Sequence, residues 1–192
     1  MDYQSLSIPD VVLFSPVRYS DVRGYFSETF RQDIFDKAIT PTEKPFTFVQ
    51  DNQSLSAAAG TIRGLHYQSA PHAQGKLVSC VQGAICDVAV DIRLGSPSYG
   101  QYVSARLSAD NGRHLWVPVG FAHGFSTLEA DTIVQYKCTD YYAPDCEGSL
   151  AWDDAGIGID WELNGQAAIL SSKDQTGDSF ADFKSPFKAR GL

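Results

Sequence analysis

The sequence is short of basic residues, of helix signals and of long apolar runs. Only 15 of its 192 residues are Lys or Arg against 23 Asp or Glu, giving a formal charge of -8 and a pI ≈ 4.8. An acidic surface repels the phosphate backbone, so sequence-independent nucleic acid binding is excluded. A small basic pocket for one phosphorylated ligand is not. No apolar stretch approaches the length that spans a bilayer, so no membrane contact is expected. Met1-Asp2-Tyr3-Gln4-Ser5 lacks the basic region and apolar run of a secretory signal. The four cysteines, Cys80, Cys86, Cys138 and Cys146, form no C-x-x-C pair. They read as reduced, mostly buried thiols of a cytoplasmic protein rather than as a zinc site. Disorder is excluded too, because 43% of the residues are hydrophobic and 12% aromatic. The expectation is one domain over residues 1–192.

What is present is a series of short strand signals. Val11–Phe14 and Tyr25–Phe30 are rich in strand formers, with an Asp-x-x-Gly turn before the second. Arg31–Ile39 is the one good helix candidate, with Ile34, Phe35, Ala38 and Ile39 on one face and Pro41 as its stop. Strands are then predicted at 46–55, 62–68, 76–82, 85–93, 102–107, 114–119, 125–129 and 132–139. In 85–93, Cys86, Val88, Val90 and Ile92 share one face, and Asp87 and Asp91 fall on the other. Short strands between Gly, Pro, Asn and Asp turns, without crossover helices, predict an antiparallel sandwich or barrel. After Tyr141 the signal fades, and the C-terminal segment is expected to wrap around it.

The chemistry centres on Gly60-Thr61-Ile62-Arg63-Gly64-Leu65-His66-Tyr67-Gln68. A histidine on a rigid strand can take or give a proton near neutral pH, and a nearby arginine offers a fork of donors to phosphate or carboxylate. A satisfied core histidine beside a surface ion pair is the plainer alternative. Lys76 opens a strand and could stabilise an oxyanion, or lie at a strand edge. His123 emerges from Pro118-Val119-Gly120-Phe121-Ala122-His123. Tyr136 could be a general acid or a core aromatic, and Asp174 could orient a histidine or sit in a loop. Pro118-x-Gly120-x-x-His123 looks like the second motif of metal-binding cupins, but the His-x-His cluster and earlier glutamate of such a site are missing. A metal-free cupin-like barrel is therefore expected.

Several stretches together closely resemble the dTDP-4-dehydrorhamnose 3,5-epimerase family. They are Asp21–Phe26, Gln50–Asn52, Arg63–Gln68, Gln74–Val78, Asp87–Arg93, Pro118–Phe125 and Tyr136–Tyr142, in family order over nearly the whole chain. The resemblance implies an all-β, double-stranded β-helix (jelly-roll, cupin-like) fold with one short N-terminal helix. It also implies a homodimer, no metal and no organic cofactor. The implied substrate is a dTDP-linked 4-keto-6-deoxy sugar, with dTDP-4-dehydro-6-deoxy-glucose converted to dTDP-4-dehydro-L-rhamnose. By the same resemblance His66 is the base, Tyr136 the opposed acid, Asp174 the partner of His66 and Lys76 the enolate stabiliser. Arg23, Arg63 and His123 meet the diphosphate. Glu28, Gln50, Asp51 and Asn52 match thymidine-binding positions, Tyr142 a base-stacking aromatic, and Glu147 and Lys173 further ligand positions.

Two features depart from the family pattern. The span from Asn52 to Arg63 is one residue longer, at Ala57-Ala58-Ala59. Strict alternation also puts Arg63 and His66 on opposite faces of their strand, so one pocket can receive both only through a bulge at Gly64, or if Arg63 serves a neighbouring subunit. The competing readings are a 3-epimerase, a 5-epimerase or a 3,4-ketoisomerase on the same scaffold. A non-catalytic sugar-nucleotide module and a metal-dependent cupin oxygenase are the readings from other classes.

Overall fold

A computed structural model describes residues 1–39 and 46–189; Pro41 and Pro45 lie outside the described residues. In chain order the elements are β1 (Asp2–Ser5), β2 (Val12–Ser15), β3 (Arg18–Asp21), β4 (Gly24–Ser27), α1 (Gln32–Ala38), β5 (Gln50–Ser56), β6 (Ile62–Gln68) and β7 (Lys76–Gln82). They continue with β8 (Ala84–Asp91), β9 (Arg93–Leu94), β10 (Tyr102–Ser108), β11 (His114–Val117), β12 (Phe121–Thr127), β13 (Thr132–Cys138), β14 (Glu147–Ser149) and β15 (Phe187–Lys188).

Two sheets face each other. One has the order β1-β2-β11-β7-β13-β5, the other β10-β8-β12-β6-β14. All their strand pairs are antiparallel. From β5 to β8 and again from β10 to β14, each strand enters the sheet opposite to the one before it, as in a jelly roll. The sheets share no strand, so of the expected sandwich or barrel it is the open sandwich that forms, with the expected jelly-roll layout.

Three apolar layers follow from strand alternation. Val78, Ile85, Ala89, Leu115, Phe121, Phe125 and Val134 fill the space between the sheets. Ile62, Leu65, Cys86, Val88, Val90 and Ala122 point the other way from the five-stranded sheet. There Leu150, Ile157, Trp161 and Phe183 of the C-terminal segment cover them. That segment is tied on by the Thr61–Ile169 and Leu150–Asp178 bridges and by β15 pairing with β9. Phe35 of α1 packs with Phe14, Leu77 and Trp116 on the outer face of the six-stranded sheet.

The outer two layers explain where the strand pattern misleads. Every residue of β8 is buried, Asp87 and Asp91 included, because both of its faces are covered. Residues 46–49 were expected to be strand. Phe46 and Phe48 instead pack against Trp116, and pairing begins only at Gln50. Asp91 stays soluble in this core because Arg93, Ser96 and Ser98 all donate to it. All four cysteines are free thiols. Among the described residues no helix is long and apolar enough to cross a membrane.

His114 on β11 sits in an apolar recess with Phe14, Phe30, Phe35 and Leu77. Burial pulls its imidazole down from 6.5 to about 4, and the Lys137 charge adds to the fall. Above pH 6.5 the ring is neutral whether the chain is folded or not, so it leaves stability unchanged. As pH falls from 6.5 towards 4, the unfolded chain gains the proton and the folded one does not, so stability is lost. The expected loss over that window is about 3 kcal/mol. Urea denaturation at stepped pH should show this slope in the wild type and a shallower one in His114→Gln; equal slopes would refute the assignment.

Candidate active site

The site lies between the two sheets, and its geometry starts at a bulge. β12 pairs with β6 so that His123 stands opposite His66, while Phe125 stands opposite Arg63. Three steps along β6 thus match two along β12. The extra residue resets the alternation: Ile62 and Leu65 both point to the outer layer, and Arg63 and His66 both point inward. Gly64 makes this possible. Its φ is +131°, and a Cβ built on it would lie 2.6 Å from Gly124 Cα and 2.8 Å from the His123 carbonyl oxygen. No L side chain fits there.

His66 is half-buried, and its Nε2 lies 2.8 Å from Asp174 Oδ1. The contact is close enough for an ion pair, but the ring nitrogen lacks an aligned hydrogen-bond partner. Asp174 is itself fixed. Its Oδ1 accepts from the Gly64 amide at 3.2 Å, and its Oδ2 accepts from Ser171 Oγ at 2.6 Å. Burial pulls the His66 imidazole below its ordinary value, and the Lys76 and Lys173 charges add to this; Asp174 and Glu147 oppose it. The ring is a neutral base at physiological pH.

The six-stranded sheet supplies the facing wall. Tyr136 on β13 packs against the inter-sheet core, and burial raises its phenol above the usual range. It therefore keeps its proton. The Lys76 Nζ lies 5.9 Å from the Tyr136 ring centroid. Burial lowers its amine, while Cys138, Glu147 and Asp87 pull it back up. His123 enters from β12, and its Nε2 is 2.8 Å from Asp87 Oδ1, with both side chains buried. Asp87 is the inward group that sequence reasoning passed over: its place in the β8 alternation was visible, its partner was not.

The mouth of the cavity is polar. Gln50 Nε2 donates to Asn52 Oδ1 at 3.0 Å, and Gln50 Oε1 accepts from the Tyr142 amide at 2.9 Å. Glu147 meets Lys173 Nζ at 2.5 Å and accepts from Tyr142 Oη at 3.0 Å. Burial alone would raise its carboxyl, but these two hydrogen bonds prevail and hold it below the usual range. Arg63 donates to the Leu55 carbonyl at 3.0 Å and to Ser56 Oγ at 3.2 Å, which ties β6 to the edge strand β5.

Three of the expected ligand positions do not join this group within one chain. Asp51 alternates to the outer face and pairs with Lys137 at 3.1 Å. Arg23 tips the β3–β4 hairpin, 85% exposed and paired with Asp21. Glu28 follows that hairpin on the surface. Among the described residues no three His, Cys, Asp or Glu side chains converge as a metal site requires.

A neutral imidazole on one wall and a protonated phenol with a half-buried amine beside it on the other suit proton transfer beside a carbonyl. Comparison with known proteins places this arrangement. Residues 5–182 match the model of the family described as dTDP-4-dehydrorhamnose 3,5-epimerase, and the chain belongs to that family. The dTDP-4-dehydrorhamnose 3,5-epimerase of Sinorhizobium fredii is 51% identical over 188 residues, 98% of this chain and 94% of the relative. The crystal structure of a dTDP-6-deoxy-D-glucose-3,5-epimerase from Legionella pneumophila, in complex with dTDP-4-keto-L-rhamnose, superposes with a TM-score of 0.91. It is 42% identical and the match covers 100% of this chain and 99% of that one. A 3'-monoepimerase from Streptomyces bikiniensis, in complex with dTDP-quinovose, superposes with a TM-score of 0.85 at 33% identity, covering 93% and 87% of the two chains.

The bulge is open to a stability test. Gly64→Ala should cost on the order of 3 kcal/mol by forcing β6 off β12. Urea denaturation measures the loss, and a variant as stable as wild type would show that the close approach of the two strands is not required.

Proposed function

We propose that this chain epimerises C3 and C5 of dTDP-4-dehydro-6-deoxy-glucose, giving dTDP-4-dehydro-L-rhamnose, and that it does so as a single domain. The observation that carries the reading is the opposition of His66 and Tyr136 on facing sheets, in a chain whose relatives bear that activity. A ketone at C4 acidifies the hydrogens on C3 and C5. His66 takes one of them, and the electron pair moves to the C4 oxygen as an enolate. The Lys76 ammonium stabilises that oxygen. Tyr136 returns a proton to carbon from the other side, which inverts the centre. Asp174 holds the imidazole and stabilises it once it is charged. No step calls for a metal or an organic cofactor.

The nucleotide half of the substrate is assigned to the mouth. His123 and Arg63 meet the diphosphate, Gln50 and Asn52 the thymidine, Tyr142 stacks on the base, and Glu147 and Lys173 close the rim. Asp51 acts in this only through β5, because its side chain faces outward. Arg23 and Glu28 are assigned to the pocket of a second copy in a homodimer. In support, Val22, Tyr25 and Phe26 around Arg23 are exposed, and the β3–β4 hairpin pairs only with itself among the described residues. Cytoplasmic location is part of the same proposal, in line with four free thiols.

A narrower reading is a monoepimerase, since one such enzyme shares the fold. Proton NMR of the product made in deuterated water decides between them. Deuterium at both C3 and C5 is expected, and exchange at one carbon only would overturn the double epimerisation.

His66→Ala should lower kcat by about a thousandfold or more while dTDP affinity stays near wild type. A collapse of nucleotide affinity would make His66 a binding residue. Tyr136→Phe should lose inversion yet retain solvent exchange at one carbon; full turnover would remove the phenol from the acid role. Sedimentation of the active protein should show a dimer, and full activity as a monomer would overturn the assignment of Arg23 and Glu28.

A further inference from the structure

Asp87 stands on β8 between Ile85 and Ala89, on the face that looks between the sheets, and it is 0% exposed. An ionised carboxylate in such a place needs partners for both oxygens. Oδ1 has one, the His123 ring nitrogen at 2.8 Å. Oδ2 is buried with no hydrogen-bond partner. Lys76 presents the complementary case from the opposite sheet. Lys76 is half-buried; its ammonium stands beside the Tyr136 ring and makes no hydrogen bond or ion pair among the described residues.

We propose that Asp87 is a positioning residue with two roles: its Oδ1 fixes the His123 ring, and its free Oδ2 side supplies the buried counter-charge that keeps Lys76 an ammonium before substrate arrives. The inference rests on the reading above, in which Lys76 meets the enolate. The groups bearing on Asp87 are few. Burial pushes its carboxyl up, and His123 on β12 and Lys76 on β7 oppose that rise. Those bearing on Lys76 are Cys138 on β13, Glu147 on β14, Asp87 on β8 and Lys173 in the C-terminal segment. Glu147 is already held by Lys173 and Tyr142 at the rim. Asp87 turns into the same space between the sheets from the opposite wall and has an oxygen to spare.

Asp87→Asn is the direct test. The amide oxygen can still accept from His123, so the ring stays in place while the charge is lost. Without the anion, Lys76 deprotonates at lower pH. NMR titration of the Lys76 Nζ in ligand-free protein should show its midpoint fall by about one unit or more. The alkaline limb of the kcat–pH profile should move down by the same amount, with dTDP affinity held within about threefold. A folded Asp87→Asn protein in which neither the titration nor the limb moves overturns the proposal and leaves Asp87 a packing residue.

If Asp87→Asn does not fold, the reciprocal measurement serves. The carboxyl of Asp87, followed by carbon NMR, should titrate at higher pH in Lys76→Gln than in wild type, and an unchanged midpoint overturns the pairing. The ligand-free titrations need no substrate. A wild-type protein that fails to turn over the dTDP-keto-sugar, yet shows the coupled titrations, would overturn the functional reading and keep this one.

Discussion

The close contact of two glycines, Gly64 on β6 and Gly124 on β12, is the constraint on which the site depends. A Cβ on Gly124 would lie 2.8 Å from the Arg63 carbonyl oxygen, as one on Gly64 would crowd the β12 backbone. Side chains at either position would push the strands apart. With the strands in contact, β6 can carry one residue more than β12 and still pair on both sides of the bulge. The consequence is directional. His66 turns into the space between the sheets instead of into the apolar outer layer, while Leu65 takes the outer place at 0% exposure. The Gly64 amide, freed from the ladder at the bulge, donates to Asp174. One backbone irregularity thus orients His66 and helps hold Asp174 beside it.

Desolvation acts on both of the side chains proposed to carry protons. Removing water penalises charge, so it lowers the imidazole of His66 and raises the phenol of Tyr136. Both residues are left neutral, as the proposed proton transfer requires. The same desolvation works against Lys76, whose usefulness lies in its charge. A buried ammonium survives only with carboxylates nearby. For Lys76 those carboxylates are Glu147 at the rim and Asp87 within the sandwich.

Much of this was legible in the residues, and the failures have physical causes. β6 and β7 were bounded correctly because Gly60 and Pro71 flank β6, Gly75 and Gly83 bracket β7, and apolar residues recur along both. His66, Tyr136, Lys76 and Asp174 stood out as polar groups in apolar or sheltered stretches. Alternation of two even exposed the conflict between Arg63 and His66, and named the glycine that resolves it. What alternation misses is whether a strand is covered on one face or two. Alternation set Asp87 and Asp91 opposite Cys86, Val88 and Val90 but left open which face was inner: the aspartates turn between the sheets, and the C-terminal segment, with little strand signal of its own, covers the apolar face. Phe46 and Phe48 looked like strand for a similar reason. Aromatic residues suit a strand and an aromatic cluster around Trp116 equally well, and only the tertiary packing separates the two.

An acidic chain that takes a doubly charged nucleotide poses a last question, and the layout of charge answers it. Net charge governs long-range attraction, and at about 10 Å salt has already screened most of it. Binding is decided closer in. Alternation along β5 and β13 sends Asp51 and Lys137 to the outer face, where they neutralise each other, and leaves Asn52 and Tyr136 inside. The inward cations Arg63 and Lys76 have no carboxylate bonded to them among the described residues. Lys173 is held by Glu147 at the rim, and the exposed Arg23 by Asp21. The surface carries the surplus of acid, and the cavity keeps its positive groups free for an anion.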